Sequence, residues 1–224
     1  MSKRRHRIET NLVRLLVFVG CVLLGQHARA QLAFGGSLKT GKRALVIGVG
    51  SYTELPRLDY AVSDAELFKR TLVDSLDFQE SDITILTDGQ SSNTRPTTGV
   101  IFGALDAIER NSLYNSGDFF VFYFAGHGVS VNGEDYLLPS DVRPELAPTL
   151  GVSVARLFDK LAEAGMTNVL LVIDACRAGS VSDFGSTLRL RSKNQNFGLL
   201  MACMPGERSY EVFAIKHGLF THAL

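Results

Sequence analysis

Short apolar runs that alternate with segments of helical periodicity constrain the fold of this chain more than any other feature of its sequence. Alternating strands and helices predict a mostly parallel sheet covered by helices on both faces, which is an α/β architecture. A chain of 224 residues with 46% apolar residues is enough for one such domain. The predicted strands are residues 43–49, 82–87, 118–125, 167–173 and 197–204. The predicted helices are residues 61–76, 97–110 and 154–164.

Turn and cap residues place the ends of some of these elements. Asn132-Gly133 lies between two short alternating stretches and predicts a tight β-hairpin. Ser153 is expected to cap the third helix, and Gly165 is expected to end it.

The first and last helices have weaker end signals. For the first helix, Ser63 or Asp59 is available as a cap. A last helix begins near Gly218, and no stop signal follows it. We therefore expect the domain to be truncated at its C-terminal end.

The first 30 residues have the order of a secretory signal peptide. A basic start is followed by an apolar run at 15–24 and by small residues at Ala28 and Ala30, which are spaced as a cleavage site. We expect cleavage after Ala30 and a periplasmic or secreted protein. A linker rich in Gly, Ser and Lys at 31–42 would then precede a single domain at 43–224.

Two other interpretations of the N-terminal segment stay open. The segment can remain as an uncleaved anchor, although the run at 15–24 is shorter than the roughly 20 residues that a membrane span needs. Cys21 weakly resembles a lipoprotein acceptor, but the apolar run continues beyond it. With the signal removed, we expect no stable membrane association.

The charge of the remaining chain argues against nucleic acid as a partner. Residues 31–224 carry 17 basic and 22 acidic side chains, a net charge of about −5. They contain no basic stripe interleaved with aromatic residues, which nucleic-acid binding favours. An acidic domain attracts basic peptides instead.

One histidine and one cysteine directly follow two of the predicted buried strands. His127 comes after the run at 118–125, and Cys176 comes after the run at 167–173. The carboxyl ends of parallel strands meet at one edge of a sheet, so this placement suits a thiolate nucleophile and its imidazole base. The flanking Gly128 can bring a backbone amide close to an oxyanion.

Each of these residues also has a structural interpretation. His127 is a candidate for a histidine in a glycine turn whose ring bonds to the backbone. Cys176 is a candidate for an inert buried thiol. Export would leave only Cys176 and Cys203 in an oxidising compartment, where two cysteines often form a disulfide.

The motifs around these residues resemble a known family. Ala175-Cys176-Arg177 follows His127 by 49 residues, which matches the caspase signature. From about residue 42 to its end, the chain is similar to the caspase-like cysteine peptidases of family C14, and most similar to metacaspases and their bacterial relatives. Further stretches that carry the resemblance are 44–49, 62–65, 123–128, 209–211 and 218–221.

The resemblance implies a fold and a mechanism. The fold is a caspase-like three-layer α/β/α sandwich, and the activity is that of a cysteine endopeptidase with a Cys-His dyad. Cys176 would attack the peptide carbonyl, and His127 would protonate the leaving amine. The amides of Gly128 and Cys176 would hold the oxyanion. The alternative function is a catalytically inactive caspase-like module used for binding or signalling.

The resemblance also implies a preference for basic substrates. Asp174 stands two residues before Cys176, where caspases carry glutamine and metacaspases, which cut after Arg or Lys, carry aspartate. Asp64 aligns with a second acid of the metacaspase pocket, and two carboxylates would select a cationic side chain. Ser209 and Tyr210 fall among the implied substrate-binding residues.

Both acids have alternative roles. Asp64 can be an acid at a helix start, where the helix dipole favours a negative charge. Asp174 can serve only to orient the backbone of its loop.

The chain departs from the metacaspase pattern at several positions. Arg177 resembles caspases, because metacaspases usually carry histidine there, and Ala61 and Ala125 replace the Cys and Ser of many metacaspase pockets. The segment 129–141 is too short to match the acids that bind calcium in many relatives. We therefore expect no metal site and no cofactor, and calcium activation stays open as an alternative without a recognisable site.

The loop after Cys176 and the oligomeric state give two further expectations. Related enzymes are often cut in this loop during maturation, which here carries Arg189, Arg191 and Lys193. Self-cleavage and a plain solvated loop are equally compatible with its composition. Caspases dimerise through a sixth strand that this sequence does not show, so we expect a monomer.

Overall fold

A five-stranded parallel sheet forms the centre of the domain. The computed structural model describes residues 41–88, 91, 93–110, 118–175, 196–202, 211–212 and 217–224. The strands of the sheet are β1 (Lys42–Gly48), β2 (Ile83–Thr87), β3 (Phe119–Gly126), β7 (Asn168–Ala175) and β8 (Asn196–Met201). They lie in the order β2–β1–β3–β7–β8, and every neighbouring pair is parallel. The prediction of five strands in a mostly parallel sheet is confirmed.

Helices cover both faces of this sheet. They are α1 (Ala61–Leu76), α2 (Thr98–Arg110), α4 (Val154–Glu163) and α5 (Leu219–Ala223). A further short helix, α3 (Ala147–Leu150), contributes Ala147 to a separate buried cluster. One buried cluster joins the sheet to α2 and α4. A second cluster joins the opposite face of the sheet to α1, and Phe220 of α5 packs against it. The three-layer α/β/α sandwich implied by the family resemblance is therefore present.

The side chains of β3 fill both layers of the core. Phe120, Phe122 and Phe124 belong to the cluster under α2 and α4, whereas Val121 and Tyr123 belong to the cluster under α1. Successive side chains of a strand point to opposite faces, so a strand that is covered on both sides reads as one continuous apolar run. This explains why the sequence identifies β3 so clearly.

A small antiparallel sheet follows β3. It contains β4 (Gly128–Val131), β5 (Glu134–Leu137) and β6 (Val152–Ser153). Asn132 and Gly133 connect β4 to β5 with φ values of 53° and 80°. Two consecutive positive φ values are the requirement of a type I′ hairpin, which confirms the predicted turn. The two-residue strand β6 is too short for a periodic signal, and the sequence did not indicate it.

A pair of two-residue strands precedes α5. Strand β9 (Glu211–Val212) pairs in antiparallel fashion with β10 (His217–Gly218). Neither was predicted, because two residues show no periodicity. The last helix begins directly after Gly218, as predicted.

The predicted ends of α4 are confirmed. The Ser153 hydroxyl accepts a hydrogen bond from the Arg156 amide at 3.1 Å, which is the N-cap contact. Gly165 has a φ of 79°, and its amide donates to the Ala162 carbonyl at 2.9 Å. A glycine in the left-handed region two residues after the last helical residue ends a helix without strain.

The predicted caps of α1 are wrong. The N-cap position is Tyr60, and no side chain caps the helix there. Ser63 lies inside the first turn, and its hydroxyl donates to the Tyr60 carbonyl at 2.9 Å. Asp59 lies one residue before the N-cap.

Several expectations concern residues outside the described ranges. The signal peptide at 1–30 and nearly all of the linker at 31–42 lie there. In the described ranges, no helix is long and apolar enough to cross a membrane.

Two glycines allow a paired test of the packing between β1 and α1. A Cβ at Gly48 would lie 2.5 Å from the Ala61 carbonyl oxygen and 2.7 Å from the Ala65 Cβ. We expect Gly48→Ala to lower the free energy of unfolding by about 1–3 kcal/mol, because the helix must move away from the sheet. Urea unfolding of the full chain measures the change.

The matched control is Gly103→Ala in α2, since a Cβ at Gly103 meets nothing within 4 Å. This substitution should raise the free energy of unfolding by about 0.5–1 kcal/mol through helix propensity. Equal changes in the free energy of unfolding for the two substitutions would contradict the close contact between Gly48 and α1.

Candidate active site

The register of β3 and β7 brings the two predicted catalytic segments to adjoining strand ends. The last pairs of the ladder are Ala125 with Asp174 and Gly126 with Ala175. Strand β7 thus runs two residues beyond its predicted end, because the polar Asp174 still takes part in the ladder. His127 follows Gly126. Cys176 follows Ala175 in the sequence and lies outside the described residues.

A backbone carbonyl orients the His127 ring. The Nε2 atom lies 2.9 Å from the carbonyl oxygen of Pro56. A carbonyl oxygen can only accept a hydrogen bond, so Nε2 carries the proton of the neutral imidazole. Nδ1 is therefore the nitrogen that can accept a proton. The ring does bond to the backbone, as the structural interpretation of His127 required, but this contact uses only one of its two nitrogens.

Tyr52 fixes the backbone and the ring of His127. The His127 amide donates to the Tyr52 hydroxyl at 2.7 Å, and the two ring centroids lie 4.7 Å apart. Burial raises the pKa of the Tyr52 phenol well above its usual range, and the nearby Asp88 adds to this shift. Tyr52 is thus a neutral, partly buried residue that holds the histidine in position.

The β4–β5 hairpin holds Gly128 in place. Gly128 pairs with Leu137, and the Leu138 amide donates to the His127 carbonyl at 2.9 Å. Across the hairpin, the Ser130 hydroxyl donates to the buried Asp135 carboxylate. The backbone on both sides of the His127–Gly128 peptide bond is therefore fixed by the sheets that it connects.

Asp64 and Asp174 converge on Gly218. The two residues are buried, with exposures of 3% and 6%. A Cβ at Gly218 would lie 2.9 Å from Asp64 Oδ2 and 3.0 Å from Asp174 Oδ2. The structure therefore brings together two carboxylates that are 110 residues apart in the sequence.

Asp64 takes its hydrogen bonds from β10. The Gly218 amide donates to Oδ2 at 3.0 Å, and His217 Nδ1 lies 2.8 Å from Oδ1. Burial raises the pKa of Asp64, and the neighbouring Asp174 raises it further, whereas the bonds from Gly218 and His217 act in the opposite direction. Asp64 lies in the first turn of α1, but these hydrogen bonds come from β10 and not from its own helix.

Asp174 belongs to a buried hydroxyl chain. The Thr221 hydroxyl donates to Asp174 Oδ2 at 2.7 Å, and the Tyr123 hydroxyl lies 2.7 Å from the Thr221 oxygen. Thr221 has one hydroxyl hydrogen, so Tyr123 is the donor in the second contact. Burial and the charge of Asp174 raise the pKa of Tyr123 well above its usual range.

Sequence reasoning missed five participants of this site. Pro56 acts through its carbonyl group, which leaves no side-chain signal. Thr221 lies in the 218–221 stretch that supports the family resemblance, but no role was assigned to it. The other three are Tyr52, Tyr123 and His217.

Several predicted site residues lie outside the described ranges, as does Cys203. They are Cys176, Ser209, Tyr210, Arg189, Arg191 and Lys193. Among the residues that the structure describes, no group of three or more His, Cys, Asp or Glu side chains is placed to hold a metal ion.

The fold is similar to that of a solved caspase. Caspase-1 from Spodoptera frugiperda superposes with a TM-score of 0.52 and 14% sequence identity. The match covers 82% of this chain and 67% of the caspase chain. At this identity the likeness shows the fold, which is that of the caspase-like α/β/α sandwich.

The family follows from the sequence comparison. Residues 41–224 match the family model of the caspase domain, peptidase family C14, so the chain belongs to this family. Metacaspase-7 of Arabidopsis thaliana is 30% identical over 63% of this chain and 36% of its own length. The paracaspase of Dictyostelium discoideum is 27% identical over 80% of this chain and 42% of its own length. The chain thus spans less than half the length of these relatives, and its resemblance to metacaspase-like members of the family is confirmed.

The buried Asp64 gives a prediction about stability and pH. Its pKa is raised above the ordinary value of 3.8 in the folded protein, so the folded state holds the proton more tightly than the unfolded state. As pH rises from below 3.8 through the raised pKa, the free energy of unfolding of the wild type should fall relative to that of Asp64→Asn. Urea unfolding across this pH range measures the difference.

Asp106→Asn is the control with the opposite sign. Lys160 bonds to Asp106 at 2.9 Å and lowers the pKa of this exposed carboxyl. The wild type should gain stability relative to Asp106→Asn as pH rises over the same range, by an amount that salt screens. If the free energies of unfolding of Asp64→Asn and the wild type differ by the same amount at every pH, the pKa of Asp64 is not raised in the folded protein.

Proposed function

We propose that this chain is an exported cysteine endopeptidase that hydrolyses peptide bonds after Arg or Lys. The observation that carries the proposal is the register of β3 and β7, which ends with Gly126 opposite Ala175. These are the residues bonded to His127 and to Cys176 in the sequence. Membership of the caspase domain family supports the same reaction class.

The proposed reaction has two stages. Nδ1 of His127 takes the proton of Cys176, and the thiolate attacks the carbonyl carbon of the peptide bond. The tetrahedral intermediate collapses to a thioester, and the imidazolium gives its proton to the departing amine. Water then attacks the thioester with His127 as base, which releases the new carboxyl group and restores the thiol. The hydrogen bond from Nε2 to Pro56 supports this assignment, since it leaves Nδ1 to accept the proton.

The amides of Gly128 and Cys176 are proposed to stabilise the oxyanion. Donors that are fixed before the reaction stabilise developing charge without reorganisation, and losing one costs roughly 100- to 1000-fold in rate. The firm attachment of the His127–Gly128 peptide to the β4–β5 hairpin supports this role for Gly128.

Asp64 and Asp174 are proposed to bind the basic side chain of the substrate, with Ser209 and Tyr210 as further contacts. Two buried carboxylates that converge on one point repel each other, and a guanidinium or ammonium group between them would relieve that repulsion. A neutral or acidic side chain would not relieve it. The selectivity would thus come from the charge of the pocket.

The remaining features of the proposal come from the sequence. Residues 1–30 would be a signal peptide, residues 31–42 a linker, and residues 43–224 the peptidase domain of a periplasmic or secreted monomer. Arg189, Arg191 and Lys193 would be sites of self-cleavage. Catalysis would use no cofactor, and nucleic acid would not be a partner.

Digestion of a peptide library by the mature chain tests the proposal. Cleavage after Arg and Lys is expected under reducing conditions, with and without calcium, and mass spectrometry identifies the cut sites. Cys176→Ala should reduce cleavage by at least about 1000-fold, because the nucleophile is lost.

Cys203→Ser is the matched control, and it should retain activity. The assignment fails if wild-type protein leaves the library intact, or if Cys203→Ser abolishes cleavage as completely as Cys176→Ala does. The same digests report self-cleavage near Arg191.

Asp174→Asn tests the charge of the pocket. We expect kcat/KM for an arginine reporter peptide to fall about 10- to 100-fold, since one charge-assisted hydrogen bond is lost. The matching citrulline peptide, which is neutral, should be affected far less. Asp106→Asn removes an exposed charge from α2 and should leave the ratio of the two substrates unchanged. An unchanged ratio in Asp174→Asn would exclude Asp174 as the selecting carboxylate.

A further inference from the structure

The imidazole of His217 contacts the Asp64 carboxylate and is more exposed to solvent than this acid. Nδ1 of His217 is 2.8 Å from Asp64 Oδ1, and the exposed fractions of the two side chains are 21% and 4%. The acid is thus almost fully enclosed, whereas part of its histidine partner reaches solvent.

The surroundings of His217 favour a cationic occupant. Asp64 faces it from α1, and the Asp174 carboxylate of β7 lies close to the same Asp64 group at Gly218. From α5, the His222 ring stacks against His217 with a centroid distance of 6.4 Å and an interplanar angle of 16°. Burial of the acid pair disfavours its full negative charge, and a cation beside the pair would offset part of that cost.

His217 takes an accepting position on the Asp64 carboxylate that a substrate cation would use. Asp64 already accepts the Gly218 amide on both oxygens, at 3.2 Å and 3.0 Å, and His217 on Oδ1. A guanidinium that forms a two-point contact with this carboxylate needs an accepting position on each oxygen, and His217 and the Gly218 amide already bond to Oδ1.

We propose that His217 is a specificity-determining residue that competes with the basic side chain of the substrate for Asp64. In the free protein the imidazole of His217 is hydrogen-bonded to Oδ1 of Asp64. A substrate cation must displace it, so only side chains that bind Asp64 and Asp174 more strongly than His217 enter the pocket. This inference rests on the proposed function and deepens it, because it adds an internal competitor to the proposed cation pocket.

Benzamidine, a small amidinium ligand, tests the displacement without catalysis. In the full chain carrying Cys176→Ala, benzamidine should shift the ¹⁵N and ¹H ring signals of His217, which the spectrum of His217→Asn assigns. Benzamide, its neutral isostere, should leave these signals unchanged. If benzamidine binds and the His217 signals do not move, His217 is not displaced and the inference is wrong.

The sign of the effect on affinity separates competition from a structural role. Asn at position 217 keeps a hydrogen-bond donor without a charge, and Ala removes the donor. We expect both variants to bind benzamidine more tightly than the parent protein, by about three- to tenfold, because the competitor is weakened or absent. A residue that only shapes the pocket would have the opposite effect, and weaker binding in both variants would overturn the inference.

His222→Asn is the matched control. His222 stacks on His217, and the described residues show no hydrogen bond between it and Asp64. This variant should bind benzamidine within about twofold of the parent. If benzamidine binds to none of the four proteins, the acid pair is not a cation site, and the inference fails together with the proposed pocket. If it binds to all of them with equal affinity, only the inference fails.

Discussion

The parallel pairing of β3 with β7 is the constraint on which the rest of the site depends. The ladder runs without interruption from Phe119 opposite Asn168 to Gly126 opposite Ala175. Both strands are buried by helices on two faces, and a shift of one residue would turn every apolar side chain of a strand to the opposite layer. The hydrophobic core therefore fixes the register, and the register decides which residues emerge together at the end of the sheet.

Successive side chains at the end of β7 point alternately into the two layers of the core. Ile173 and Ala175 of β7 belong to the layer of α2 and α4. Asp174, between them, contacts Thr221 of α5 and lies near Asp64 of α1. The acid pair thus lies in the layer that α1 and α5 cover, and its contacts come from β10 and α5. Gly218 permits this assembly, since any larger residue would occupy the space beside both carboxylates.

Much of the fold was predictable because the signals are local or periodic. The run of aromatic residues in β3 identifies a strand that is buried on both faces, Asn132-Gly133 identifies a type I′ turn, and Ser153 identifies a helix start. The caps of α1 were not predictable. Serine is a residue type that often caps helices, but the Ser63 hydroxyl donates to the Tyr60 carbonyl.

The supporting groups of the site were harder to predict than its acids. Asp64 and Asp174 were selected through a family resemblance, and the structure brings them together. Tyr52 lies outside the helices and strands and His217 lies in a two-residue strand, so neither has a periodic signal. The sequence carries the identity of these residues, but the partner of each one is determined only by the folded chain.

The contact between His127 and Pro56 has a consequence for the robustness of the site. A carboxylate that orients a histidine titrates, and its protonation at low pH or its replacement by mutation releases the ring. The Pro56 carbonyl does not titrate, and every amino acid carries an equivalent oxygen. The orientation of the His127 ring is therefore encoded in the path of the backbone, where neither acid nor a change of side chain removes the accepting atom.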